Sequence, residues 1–142
     1  MRSTVLGAAL LAAVLPLAAC GGEPGGGAPS ETGLRDSFAQ QVQSNRFIRE
    51  FQRNGDDLLF SGPDGAGGSA KWRIHIDAAF VTPYPDAKQP YKGTINSSWY
   101  ANDRVIRPGG RESNLPIELL DKGVSQDCWA FWDPDARSWD WE

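Results

Sequence analysis

The apolar residues that follow residue 33 first recur at helical spacing. They are Leu34, Phe38 and Val42. A spacing of four residues places side chains on one face of a helix, and Thr32 precedes them as a candidate N-cap. A second apolar set falls on a different face at about 100° per residue, and its members are Phe47, Ile48 and Phe51. We therefore predict a helix that bends or breaks near Ser44-Asn45 and stops at Asn54-Gly55, where glycine accepts a left-handed C-cap conformation.

Beyond Gly55 the pattern changes to strands separated by turn residues. Between residues 72 and 80, apolar positions alternate with Arg73, His75 and Asp77, which is the period of a half-buried strand. Further strands are predicted at residues 58–60, 94–101, 104–106, 115–120, 124–132 and 137–141. Asn102-Asp103 is typical of a two-residue hairpin turn, and a second turn is predicted at residues 133–135.

A helix followed by an antiparallel meander predicts an α+β fold, in which the N-terminal helix packs on one face of a curved antiparallel sheet. Cystatin-like and NTF2-like folds share this order of elements, and the likeness concerns architecture alone. The roughly 110 residues from position 34 onward suffice for one core. We therefore expect a single globular domain at residues 34–142.

The first twenty residues have the parts of a bacterial secretory signal. An apolar run at residues 5–19 follows a basic residue and is shorter than the roughly 20 residues that a spanning helix needs. The run ends in Leu17-Ala18-Ala19-Cys20, which resembles the lipobox of bacterial lipoproteins. The resemblance implies that residues 1–19 are a signal peptide cleaved before Cys20, and that Cys20 receives a diacylglycerol and a further acyl chain such as palmitate. An ordinary signal peptide, with Cys20 present by chance, is the alternative.

The same resemblance sets the expected location in the cell envelope. Gly21 follows Cys20, and this position favours the outer membrane in two-membrane bacteria when it is not Asp. We expect the periplasmic face of the outer membrane in a Gram-negative host, and the outer face of the cell membrane otherwise. Residues 20–33 comprise the lipidated cysteine and a linker rich in Gly and Pro, a composition that favours flexibility.

The net charge of the chain restricts the classes of partner that it is expected to bind. Eighteen acidic residues stand against fourteen basic ones, and removal of Arg2 with the signal leaves thirteen, a net charge of −5. A polyanion needs a basic patch, and the basic residues here are scattered, so we expect no nucleic-acid partner. The acyl chains on Cys20, rather than charge, are expected to hold the protein to the lipid bilayer.

Few residues offer chemistry. With Cys20 lipidated, Cys128 is the single remaining thiol, so we predict a small buried apolar residue, with a reactive thiol as the alternative. One histidine and one thiol cannot supply the four ligands of a structural zinc site, so no metal is expected. His75 shares a strand face with Arg73 and Asp77, yet no nucleophile motif accompanies it, and we expect no cofactor.

Tryptophan is the remaining signal, because four of the six tryptophans crowd the last fourteen residues: Trp129, Trp132, Trp139 and Trp141. Strand alternation places Trp139 and Trp141 on one face, and Trp132 opposite to Trp129. Exposed rings stack on sugars or anchor a protein, whereas buried rings fill a core. We therefore predict a non-catalytic module that binds an envelope protein or glycan. The alternative is a small-molecule-binding or enzymatic domain with a pocket around His75 and Asp77.

Overall fold

The computed structural model describes residues 27–107, 115–119 and 127–142. These residues form an α+β fold with one helix and a curled antiparallel sheet, which confirms the predicted class. The elements are helix α1 (Glu31–Ser44) and strands β1 (Arg49–Asn54), β2 (Asp57–Pro63), β3 (Ser69–Pro83), β4 (Tyr91–Ala101), β5 (Arg104–Arg107), β6 (Asp127–Asp133) and β7 (Ser138–Trp141). The predicted signal peptide, Cys20 and most of the linker lie outside the described residues.

Helix α1 begins at Glu31, within the stretch 20–33 that its composition predicts as a linker. Ser30 is the N-cap, because its Oγ accepts a hydrogen bond from the Gly33 N–H at 2.9 Å. The prediction of Thr32 as the cap is therefore wrong, because the cap lies two residues earlier in the chain. The apolar face is confirmed: Leu34, Phe38, Ala39 and Val42 are all buried.

The helix ends at Ser44, where the sequence predicts a break, but the chain does not continue as a second α-helix over residues 47–54. Residues 49–54 form β1, so the prediction that Asn54-Gly55 ends a helix is wrong. Asn54 pairs with Asp57 across a hairpin, and Gly55 takes a left-handed φ of 60° in the turn. Glycine adopts this conformation at a helix C-cap and in a hairpin turn alike, so the residue alone does not distinguish the two.

The strands follow the order β1-β2-β3-β4-β6-β7. The whole of β4 pairs with residues 72–83 of β3, and the other edge of β4 pairs with β6 at one end and with β5 at the other. Bulges interrupt β1, β3 and β5, and a bulge bends its strand and increases the local twist. The sheet therefore curls around α1, which packs on β3, β4 and β7.

The turns divide into confirmed and corrected predictions. Asn102 and Asp103 both take a positive φ, of 48° and 64°, as a type I′ hairpin requires. The Asp133 carboxylate accepts two backbone N–H bonds in the predicted second turn. In contrast, residues 117–119 form a short 3-10 helix rather than the predicted strand 115–120. Residues 120–126, which join the predicted strands 115–120 and 124–132, lie outside the part that the structure describes.

Candidate functional site

Arg73, His75 and Asp77 lie on the outer face of the sheet, as the alternation predicts. His75 Nδ1 lies 2.8 Å from the carboxylate of Asp57, the residue opposite it on β2. The same carboxylate lies 3.6 Å from the Arg73 guanidinium, which stacks 3.9 Å above the ring of Tyr100. His75 is therefore paired across the sheet and not along its own strand.

Asp77 does not join this group. The β-bulge between Ile76 and Ala78 shifts its register, and the Ser98 hydroxyl donates to the Asp77 carboxylate at 2.7 Å. The side chains of His75 and Asp57 remain 43% and 36% exposed. Ion pairs exposed to this degree contribute little to stability. These residues form a hydrogen-bonded polar sheet face.

The two C-terminal tryptophans share the inner face of β7, as predicted. Trp141 is 8% exposed and belongs to the core, where its ring and Leu34 fill the space that a side chain at Gly93 would need. Trp139 is half-buried and makes edge contacts with Tyr91 and Trp132 at centroid distances of 5.3 and 5.5 Å. Trp141 is therefore mainly a packing residue, whereas Trp139 borders open space.

That open space is a groove between α1 and β7, with a volume of about 630 Å³. Its lining residues are Gly33, Asp36, Ser37, Gln40, Gln41, Ser44, Phe131, Trp139, Asp140, Trp141 and Glu142. The volume falls within the range of ligand sites, and the lining combines aromatic rings with amide, hydroxyl and carboxylate groups. A second depression, of about 470 Å³, lies on the outer face beside Glu50 and Lys71. Neither depression is lined by His75 or Asp77.

The backbone of β7 opens into the groove. Trp129 and Glu142 exchange both backbone hydrogen bonds, at 2.7 and 3.0 Å. Hydrogen-bonded pairs alternate along antiparallel strands, so the N–H and C=O groups of Trp139 and Trp141 point away from β6. Within the described ranges, no strand pairs with this outer edge. The groove therefore presents unpaired peptide groups beside aromatic rings.

The charge of the groove is one-sided. Among the described residues, its charged lining side chains are the carboxylates Asp36, Asp140 and Glu142, and none of the described lining residues is basic. Asp36 is ion-paired with Arg53 at 2.7 Å, whereas Asp140 and Glu142 form no ion pair with any described residue. Two free carboxylates therefore flank the open strand edge.

A second exposed surface contains aromatic rings on the outer face of the sheet, and no sequence pattern indicated it. Phe80 and Tyr84 are 48% and 41% exposed, and Tyr84 contacts Trp129 edge-on at 6.2 Å. The Trp129 indole N–H is buried and has no hydrogen-bond partner among the described residues. Tyr84 lies in a proline-rich connection, so no strand pattern indicated that it would reach Trp129.

Cys128 is buried on β6, with its Sγ 3.8 Å from the Gly93 carbonyl oxygen. Burial, and to a lesser extent the charge of Asp127, raises the pKa of the Cys128 thiol from its ordinary value of 9.0 to about 11. The prediction of a small buried residue is confirmed. A thiol that stays protonated at neutral pH is a poor nucleophile, which argues against the reactive alternative.

Residues 27–107, 115–119 and 127–142 contain no group of three His, Cys, Asp or Glu side chains placed to hold a metal ion. No helix within these ranges combines the length and apolar character that crossing a membrane requires. Comparison of the chain with protein-family models, with characterised proteins and with solved structures found no match.

Proposed function

We propose that this protein is a lipid-anchored bacterial envelope lipoprotein whose domain is a non-catalytic binding module. The observation that supports this role best is the groove between α1 and β7, because it combines half-exposed aromatic surface, polar side chains and an unpaired strand edge. Sites that bind ligands are concave and present a few polar groups beside apolar walls. Acylated Cys20 is the proposed anchor, and an envelope protein or glycan is the proposed ligand.

The position of the tether supports this proposal. The Trp139 indole donates a hydrogen bond to the Gly27 carbonyl at 3.0 Å, so the chain leaves the domain beside the groove. Gly27 lies seven positions after Cys20, and an extended chain of that length spans at most about 25 Å. The proposed anchor would therefore hold the groove close to the membrane, within reach of membrane-proximal ligands.

The polar sheet face favours a binding role over an enzymatic one. The alternative needs a pocket around His75 and Asp77, but His75 is paired with Asp57 on an open face, and Asp77 bonds to Ser98.

The order of elements supports a relation to cystatin-like or NTF2-like folds, and we propose that relation for the architecture alone.

Photo-cross-linking tests the proposed function. We would introduce p-benzoylphenylalanine at Gln40, which lines the groove, and in a matched variant at Val105, which is 57% exposed and remote from it. Each full chain is added to isolated envelope membranes and irradiated. We expect an adduct at position 40 that an excess of the unlabelled chain removes, and none at position 105. Equal labelling from both positions, or labelling that the excess does not reduce, would contradict a binding groove.

A further inference from the structure

The chemistry of the groove between α1 and β7 indicates which class of ligand it would bind. We propose that it takes an extended, basic peptide segment of an envelope partner, which pairs with the outer edge of β7 as an additional strand. This inference rests on the proposed binding function and names the chemistry of its ligand. It combines two observations, the unpaired edge at Trp139 and Trp141 and the free carboxylates of Asp140 and Glu142.

The backbone geometry favours strand addition. An edge strand is a template for another chain, and proteins usually protect such edges by covering them. Helix α1 lies beside the edge of β7, with the groove between them, and does not cover it. The peptide groups of Trp139 and Trp141 are therefore available to an incoming strand, which is the mode of recognition called β-augmentation.

The side chains set the composition of the incoming strand. On the inner side, alternate residues of the peptide would meet Trp139 and Trp141, whose rings favour apolar contacts. On the outer side, the remaining residues would lie next to Asp140 and Glu142. Opposite charges on neighbouring strands are favourable, so these positions favour Lys or Arg. The predicted ligand alternates apolar and basic residues.

Charge also argues against two other occupants. If two copies of β7 paired across a two-fold axis, Asp140 would approach its own counterpart, and like charges on facing strands are unfavourable. The segment of this chain that precedes Gly27, residues 21–26, contains Glu23 and no basic residue. A basic segment of another protein therefore fits the groove better than a second copy or the tether.

Amide hydrogen exchange tests the pairing directly. The full chain, labelled with ¹⁵N in detergent micelles, is titrated with a synthetic peptide of four Lys-Val repeats and followed by NMR. We expect peptide to slow exchange of the Trp139 and Trp141 amides by at least about tenfold, because these amides gain hydrogen bonds. The Asp140 and Glu142 amides already face β6, so their exchange should not change. This alternation within one strand would not result from non-specific binding.

Matched probes separate backbone pairing from charge. A peptide with Glu in place of Lys should give no protection. Two further peptides carry N-methyl groups on alternate residues, one set removing the N–H groups that face β7 and the other set removing those that face away. Only the first set should abolish binding. Asp140→Lys should raise the Kd of the Lys-Val peptide roughly five- to tenfold, whereas His75→Ala, on the other face of the sheet, should leave the Kd unchanged.

Several results would overturn this inference. Protection of the Trp139 and Trp141 amides in the free chain would mean that the chain covers its own edge. Equal protection by the Glu peptide would remove the charge argument, and binding without alternating protection would remove strand addition. If the basic peptide does not bind while the photo-cross-linker at Gln40 still gives an adduct that excess chain removes, only this inference is wrong. If neither the peptide nor the cross-linker gives the expected result, the proposed function is wrong as well.

Discussion

At the scale of single residues, Gly93 is the position where packing allows least change. A Cβ at this position would lie 2.6 Å from a ring carbon of Trp141 and 2.7 Å from a methyl carbon of Leu34. We predict that Gly93→Ala lowers the free energy of unfolding by about 1–3 kcal/mol, because overpacking forces neighbouring side chains to shift. Urea unfolding followed by tryptophan fluorescence measures the change.

A double-mutant cycle supplies the control for Gly93. Leu34→Ala alone should cost about 2–5 kcal/mol, since it leaves a cavity under the helix. The methyl group of Gly93→Ala would partly fill that cavity, so the double variant should lose less stability than the two single losses together. Strict additivity would show that Leu34 and Gly93 do not compete for the same space.

Cys128 makes stability depend on pH at the alkaline end. Its pKa is about 11 in the folded protein and 9.0 at its ordinary value, so the unfolded chain loses the thiol proton first. Its contribution to stability is complete below pH 9 and falls as the pH rises towards 11. We predict that, between pH 8 and pH 11, the natural chain loses about 2 kcal/mol more free energy of unfolding than Cys128→Ala. Equal losses in the two proteins would contradict a buried thiol.

Alternation along a strand predicts which residues share a face, but it does not predict their partners. Arg73, His75 and Asp77 lie on one face as expected, because the period of two is a property of the strand itself. The pairing of His75 with Asp57 depends on the register between β2 and β3. The bulge that places Asp77 next to Ser98 likewise results from how β3 and β4 pair, and no local pattern encodes it.

At the scale of elements, the start of α1 tests the corrected N-cap. The Ser30 hydroxyl accepts the Gly33 N–H, whereas Thr32 lies exposed within the first turn. We predict that Ser30→Ala lowers the free energy of unfolding by about 1 kcal/mol, because the N–H loses its acceptor. Thr32→Ala is the matched control and should change stability by less than about 0.5 kcal/mol. Denaturant titration that ranks the two variants in the opposite order would restore Thr32 as the cap.

Strand β1 shows where element prediction from sequence fails. Its six residues are mostly polar and exposed, so burial gives them no periodic signal. Phe47, Ile48 and Phe51 suggested a helix face only because they follow a real helix. The segment is a strand because it pairs with β2. The sequence of residues 49–54 alone carries no information about that pairing. The longer strand β3 was predicted in part, since residues 72–77 alternate between buried and more exposed positions. The bulge after Ile76 then shifts the alternation, so Phe80, which the pattern placed with the buried apolar positions, is exposed.

At the scale of the whole molecule, the groove joins the two ends of the described chain. The hydrogen bond from Trp139 to Gly27 spans 112 residues of sequence, and α1 and β7 are the first and last elements. A site built from such distant segments leaves no local motif, which is why the sequence indicated Trp139 and Trp141 as candidates but not the groove. Their shared face was predictable, whereas the helix beside them was not.

The proposed lipid anchor on Cys20 would determine how the whole molecule attaches to a membrane. The proposed mature chain would carry thirteen basic and eighteen acidic residues, so an anionic bilayer would repel it. Its attachment would then depend on the proposed acyl chains, which would each contribute about 0.8 kcal/mol per buried CH₂. We predict that the natural chain stays in the membrane fraction in 1 M salt. At this concentration the Debye length is about 3 Å, so interactions between surface charges are largely screened. Cys20→Ala should move to the soluble fraction and lack the added lipid mass. Release of the natural chain by salt would instead indicate that charge, and not lipid on Cys20, holds the protein at the bilayer.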